Sequence, residues 1–393
     1  PIMLNTALSP WPSFTQEEAD AVSKVLLSNK VNYWTGTECR EFEKEFAAFA
    51  GTQYAVALSN GTLALDVALK AMGIGAGDDV VVTSRTFLAS ASCIVTAGAN
   101  PVFADVDLNS QNISAETIKA ALTPNTKAII VVHLAGMPAE MDGIMDLAKE
   151  HDLWVIEDCA QAHGAKYKGK SVGSIGHVGA WSFCQDKIMT TGGEGGMVTT
   201  NDKELWSKMW SYKDHGKSYD AVYHREHAPG FRWLHESFGT NWRMMEMQAV
   251  IGRIQLKRMP EWTARRQAHA AKLAESLGKF ASIRLIEVAD YIEHAQYKFY
   301  AFIKPEHLKD GWTRDRIVSE LNARKVPCYQ GSCSEVYLEK AFDNTPWRPK
   351  ERLKNAVQLG DTSLMFLVHP TLTDDEIAFC KEHIEAVLAE ATA

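Results

Sequence analysis

Two residues carry most of the chemistry in this chain. Lys187 sits in the run Ser182-Phe183-Cys184-Gln185-Asp186-Lys187-Ile188-Met189-Thr190-Thr191-Gly192-Gly193-Glu194-Gly195-Gly196, and Asp158 follows the apolar stretch Leu153-Trp154-Val155-Ile156-Glu157. A lysine amine can condense with an aldehyde. A carboxylate at the end of a buried strand needs a cation or several donors, because burial otherwise raises its pKa and neutralises it. Pyridoxal phosphate chemistry asks for both groups: a lysine for the aldehyde, and an acid that keeps the ring nitrogen protonated so that the ring acts as an electron sink. The separation, 187 − 158 = 29 residues, leaves room for a strand, a turn and another strand. A structural salt bridge for Asp158 and a solvated surface position for Lys187 are the competing readings. Against the second stand Gly192, Gly193, Gly195 and Gly196 around Glu194, which suggest backbone packed closely on a ligand or partner.

Further residues complete a site of that kind. Asn60-Gly61-Thr62 follows the strand-like Tyr54 to Leu58 and opens a helix. Exposed N–H groups and the helix dipole there favour a phosphate, Gly61 permits close approach, and Thr62 adds a hydroxyl. An ordinary helix cap has the same appearance. Phe87, beyond Ser84-Arg85-Thr86, is placed either to lie flat on an aromatic ring or simply to pack in the core. Gln161 is three residues past Asp158, within reach of a ring oxygen, and Ser182 is five residues before Lys187, within reach of the same phosphate. Asn241-Trp242-Arg243 reads as the opening of a long helix, with Asn241 a donor to a phosphate in a neighbouring subunit or only a cap. Once released from the aldehyde, the Lys187 amine can act as general base and acid at the substrate carbon.

The elements that must position these groups alternate. Strand-like runs at 54–58, 79–83, 102–104, 127–133 and 153–157 are separated by helical stretches near 63–72, 86–98, 114–122 and 140–150. Such alternation predicts an α/β fold, a mixed and mostly parallel sheet with helices on both faces, and ligands beyond the carboxyl ends of its strands. After a long helix over 241–275 come strands at 283–286 and 296–303 and helices near 313–325, 349–357 and 374–390, a smaller α+β domain. The expected boundaries are 1–30 for an N-terminal segment packing with the small domain, 31–260 for the large cofactor-binding domain, and 261–393 for the small one.

Composition narrows the classes. A net charge of −8 supplies no basic excess for nucleic acid. Seven scattered cysteines suit a reducing cytoplasmic setting, and no close Cys/His set argues for a metal. Pro1-Ile2-Met3-Leu4-Asn5 lacks signal-peptide character, and no apolar run approaches a membrane span.

Taken together, Trp34-Thr35-Gly36, Asn60 to Leu65, Thr86-Phe87, His133 to Gly136, Glu157 to Ala165, the Ser182–Gly196 run and Asn241 to Met244 resemble the DegT-type (StrS-like) nucleotide-sugar aminotransferases of the aspartate aminotransferase fold. The resemblance implies a homodimer with two shared active sites and pyridoxal 5′-phosphate as cofactor. It implies Lys187 as the Schiff-base lysine, Asp158 on the ring nitrogen, and Gln161 near the ring oxygen. Gly61, Thr62 and Ser182 would hold the phosphate, with Asn241 of the second subunit. The implied reaction moves an amino group from L-glutamate to a keto carbon of a nucleotide-linked deoxysugar, for surface polysaccharide or related glycans. Lys187, where dehydratase relatives carry His, points to the aminating branch over a dehydratase or lyase. A non-catalytic regulator on the same fold is the remaining alternative. Thr190-Thr191 and Met197 point to carbon 4, although one extra residue separates Lys187 from Glu194. Cys328 to Glu335 replace the Tyr-x-Pro-x-His loop of many relatives. Trp34, His215 and Tyr329 are the candidates for sugar or nucleotide contact.

Overall fold

The computed structural model describes residues 7–393, so Pro1 to Asn5, considered above as a signal segment, lie outside the described residues. Seven strands form the central sheet: β1 (Tyr54–Leu58), β2 (Asp79–Thr83), β3 (Asn100–Ala104), β4 (Thr126–Val132), β5 (Trp154–Asp158), β6 (Val178–Ser182) and β7 (Gly196–Thr200). Their spatial order is β1-β7-β6-β5-β4-β2-β3. All neighbours pair parallel except β7, which runs antiparallel to both β1 and β6.

The Val/Ile/Ala runs form strands because both faces are covered. Val80, Val82, Ala128 and Ile130 pack on one side with Leu65 and Leu69 of the Gly61–Ala71 helix. Val81, Ile129 and Val131 point the other way, towards Ile144 and Leu147 of the Met141–Glu150 helix. This is the period-2 alternation of a strand buried on both sides. Each of the Val, Ile and Leu side chains contributes about 1.5–3 kcal/mol on burial, which fixes strand register and thereby the residues at the strand ends.

A second sheet of four strands joins Ile283–Leu285, Phe299–Ile303, Ser363–Phe366 and Cys328–Tyr329, all antiparallel. The 32-residue helix Glu246–Leu277 lies between the two sheets in sequence. Near the N-terminus, Ser9 N–H donates to Glu376, and the Gln16–Leu27 helix is tied to the long helix through Arg258, which pairs with Glu17 and Glu18.

Three sequence expectations shift. The long helix begins at Glu246, not at Asn241, because residues 241–243 spend their backbone groups on bridges to Asp214 and Leu58. The strand expected over 296–303 starts at Phe299, and the helix expected over 349–357 spans Lys354–Thr362. In the latter case the preceding stretch bends and is tied elsewhere, Arg352 pairing with Glu335 and the Leu353 N–H donating to the Tyr337 hydroxyl.

Candidate active site

The carboxyl ends of β1, β5 and β6 converge. Beyond β1, the Asn60 side chain accepts from the Leu63 N–H and caps the Gly61–Ala71 helix. The first amides of that helix, Gly61 and Thr62, have no intrahelical acceptor and face outward at its positive end. Gly61 is required by contact: a Cβ there would stand 2.5 Å from Ser182 Cβ, at the end of β6. Helix start and Ser182 hydroxyl thus form one cradle for an anion.

Asp158 ends β5 and is 6% exposed. Its Oδ2 accepts from Ser90 Oγ at 2.7 Å and its Oδ1 from the Ala160 N–H at 3.2 Å. Burial pushes the carboxyl pKa up; the Ser90 and Ala160 donors and the charges of Lys187 and His133 only partly offset this. A cation on the cavity side is what would keep this acid ionised.

Lys187 lies in the turn after β6, its N–H bonded to the Cys184 carbonyl. Its carbonyl accepts from Trp11 Nε1 at 2.9 Å, and its ammonium lies 5.4 Å from the centre of the Tyr297 ring. Gln161 Oε1 accepts from the Ala135 N–H at 2.7 Å, which leaves the side-chain NH₂ as a donor. Phe87 presents its ring to solvent, 70% exposed.

Gly61, Thr62, Phe87, Asp158, Gln161, Ser182 and Lys187 all line one cavity of about 740 Å³, together with Glu194 and Cys184. Asn241, Trp34, His215 and Tyr329 do not line it. Trp34 Nε1 donates to buried Asp214, which also takes Lys217 and Arg243, so that indole serves an ionic cluster. His215 and Asn241 are exposed, and Tyr329 pairs with Met365 in the second sheet. Thr190, Thr191 and Met197 are buried away from the cavity, and Thr191 hydrogen-bonds the Glu194 carbonyl. They shape the loop that presents Glu194.

Sequence reasoning missed Ser90, Trp11 and Tyr297. All three reach the site from other elements, and no local motif marks them. Among buried acids, His133 and Glu157 form a pair at 2.9 Å beside Cys159. Glu157 Oε2 also accepts from Ile175 and Gly176, and His133 Nδ1 accepts from Ala139. The imidazole lone pair and both carboxylate oxygens are therefore committed within the protein.

With this geometry established, the matches to known proteins follow its outline. The model of the DegT/DnrJ/EryC1/StrS aminotransferase family matches residues 12–385. The chain belongs to this family. Among relatives, the spore coat polysaccharide biosynthesis protein SpsC of Bacillus subtilis is 35% identical over 378 residues, covering 96% of this chain and 95% of that protein. The UDP-N-acetyl-3-dehydro-alpha-D-glucosamine 3-aminotransferase of Acidithiobacillus ferrooxidans is 42% identical over 363 residues, 91% of this chain and 90% of its own. In structure, the chain is similar to the aminotransferase from Psychrobacter cryohalolentis, with TM-score 0.96 and 65% identity over 97% of this chain and 99% of that one. As a DegT/DnrJ/EryC1/StrS protein, it places its Lys and Asp at the strand ends where the α/β fold collects ligands.

Proposed function

We propose that this protein is a pyridoxal 5′-phosphate-dependent aminotransferase that moves an amino group from L-glutamate to a keto carbon of a nucleotide-linked deoxysugar, in surface polysaccharide or related glycan synthesis. One observation carries the reading: Lys187, Asp158 and the Gly61–Ser182 cradle face one cavity.

The donor set fits the cofactor. The Gly61 and Thr62 amides, the Thr62 hydroxyl and Ser182 suit its phosphate. Asp158 suits a protonated ring nitrogen, the Gln161 NH₂ a ring oxygen, and Phe87 a ring face. When bound, the cofactor supplies an electron sink for charge developing at the substrate carbon. The protein's own part is proton handling and placement. Asp158, a buried carboxyl fixed by Ser90 and the Ala160 N–H, would pair with the ring nitrogen and favour its protonated form. Lys187 would hold the cofactor and, as a free amine, would take a proton from the substrate carbon in one half-reaction and return one in the other. Family membership and the lysine itself favour amino transfer over the dehydratase reading.

The finer assignments rest on the same reading. Glutamate is the proposed donor, and carbon 4 is the position favoured by the Thr190-Thr191 and Met197 pattern. Carbon 3 is the second reading, favoured by the name of the Acidithiobacillus relative. Cys328 to Glu335 lie at the right place to bear on sugar choice: the Thr86 N–H bonds the Cys333 carbonyl and Arg85 bonds the Ser332 carbonyl, next to Phe87. A homodimer fits the stretch before Asn241, where Phe231, Trp233 and Phe238 are 62%, 92% and 98% exposed. Asn241, which does not line the cavity of its own chain, would then serve the phosphate in the site of the second subunit.

The test is to supply glutamate and assay 2-oxoglutarate, then offer 3-keto and 4-keto sugar nucleotides to the aminated enzyme. Aminated sugar with stoichiometric 2-oxoglutarate supports the reading. Loss of water from the sugar without 2-oxoglutarate would establish the lyase instead.

A further inference from the structure

The loop that carries Lys187 is closed on itself and held from outside. The Phe183 carbonyl accepts from the Thr190 hydroxyl at 2.8 Å and from the Thr191 N–H at 3.2 Å, which leaves Lys187 midway round a closed loop. The Thr190 hydroxyl accepts in turn from the Gly193 N–H. Ile188 and Met189, directly after the lysine, are fully buried.

The outside hold is one face of the Glu246–Leu277 helix. Gln248, Gly252 and Gln255, spaced four and three residues apart, share that face. Gln248 Nε2 donates to the Glu194 carbonyl at 2.8 Å, and Gln255 Oε1 accepts from the Thr190 N–H at 2.8 Å. Between them, a Cβ at Gly252 would stand 3.0 Å from Thr191 Cγ2 and 2.5 Å from the Phe42 ring, so glycine lets the helix come this close. Gln255 is 2% exposed, and its Nε2 donates at 2.8 Å to Oε2 of Glu18, which is 1% exposed. Burial pushes the Glu18 carboxyl up, but Gln255, the Thr15 N–H and Arg258 outweigh it and hold it below the usual range. An ionised carboxylate only accepts. The Gln255 NH₂ must therefore face Glu18, and its oxygen is left for Thr190. The N-terminal segment reaches the same loop a second time, where Trp11 Nε1 donates to the Lys187 carbonyl.

We propose that Gln255 is a positioning residue for Lys187: oriented by Glu18, it holds the Thr190 end of the loop and so fixes where the amine enters the cavity. The inference rests on Lys187 being the cofactor-binding amine. The Gly61–Ser182 cradle stands on a helix start and a strand end, so phosphate binding and amine placement are separable.

Two probes separate them. The compound 4-deoxypyridoxine 5′-phosphate has the ring and phosphate but no aldehyde, so its affinity reads the cradle alone. In Gln255→Leu, colour development with pyridoxal phosphate should slow at least about tenfold, with analogue affinity within about twofold of wild type, since misplacing a reacting group by about 1 Å costs up to about 10²-fold. Glu18→Gln changes a side chain outside the cavity lining and keeps its size. It should act in the same direction and more weakly, because its new NH₂ opposes either Gln255 or Arg258. In cofactor-free protein, deuterium uptake over residues 183–194 should rise in both variants, with uptake over residues 61–71 unchanged. Wild-type colour development in both variants, or analogue affinity falling in step with the colour, would overturn the proposal. If Gln255→Leu does not fold, Glu18→Gln decides by the same criteria. Wild-type protein that never colours with pyridoxal phosphate would instead remove the functional reading, while deuterium uptake over 183–194 still decides whether Gln255 holds the loop.

Discussion

Ser90 Oγ stands 2.7 Å from Asp158 Oδ2 and 2.9 Å from Thr86 Oγ1. The acid at the end of β5 is thus tied through one hydroxyl to the segment that carries Phe87. Removing the donor in Ser90→Ala takes a hydrogen bond from a charged group, a loss of about 1.5–3 kcal/mol. Turnover should drop roughly tenfold or more, with weaker cofactor retention, measurable by steady-state kinetics and a cofactor titration. Wild-type behaviour in this variant would show that Ser90 does not support the acid.

Lys187→Ala should abolish the visible absorbance that wild-type protein acquires with pyridoxal phosphate. Turnover should fall by at least about 10³, in line with loss of a positioned acid–base group, while the circular dichroism spectrum is retained. Turnover near wild type would end the assignment.

Gly61→Ala places a methyl group 2.5 Å from Ser182 Cβ. Either the helix start or the end of β6 must yield, at an overpacking cost of about 1–3 kcal/mol. The expected outcome is a cofactor dissociation constant raised at least about tenfold, with most secondary structure intact. Equilibrium dialysis against pyridoxal phosphate measures it.

Acid stability should follow the buried histidines. Burial lowers His163, His294 and His369 to about 3 each. Folded pKa values lie below the unfolded value near 6.5, so the unfolded chain binds more protons in that window. Stability is fully present above about pH 6.5 and is lost as pH falls towards 3, at up to roughly 1 kcal/mol per pH unit for each group. Urea unfolding at pH 7 and pH 5 should show the lower midpoint at pH 5. In His163→Leu the difference should shrink.

Five of the seven strands of the large sheet were legible in the sequence as short apolar runs such as Val80-Val81-Val82 or Ile129-Ile130-Val131, whereas Val178–Ser182 and Gly196–Thr200, with Gly, Ser and Thr among their residues, were not marked as strands. Also legible were the residues at strand ends inside local motifs, from Gly61 to Lys187, that line the one cavity. What stayed hidden depends on distant partners. Ser90 looks like any helical serine, Trp11 shows no sign of reaching the Lys187 carbonyl, and Tyr297 lies 111 residues from the Asp186 it bonds. Asn241 was misplaced on a helix because its backbone is claimed by Asp214, a partner that local periodicity does not reveal. Trp34 shows the converse: an indole that invites a ligand is spent on Asp214.

The tryptophan that caps the Lys187 carbonyl is held by neighbours at the far end of the polypeptide. Ser9 bonds Glu376, 367 residues away, and its carbonyl meets His369, while Pro10 is gripped by Thr371. The surroundings of the Lys187 amine are therefore complete only once two segments more than 350 residues apart have come together, so destabilising the Thr371–Glu376 turn loosens a contact to that lysine from a distance.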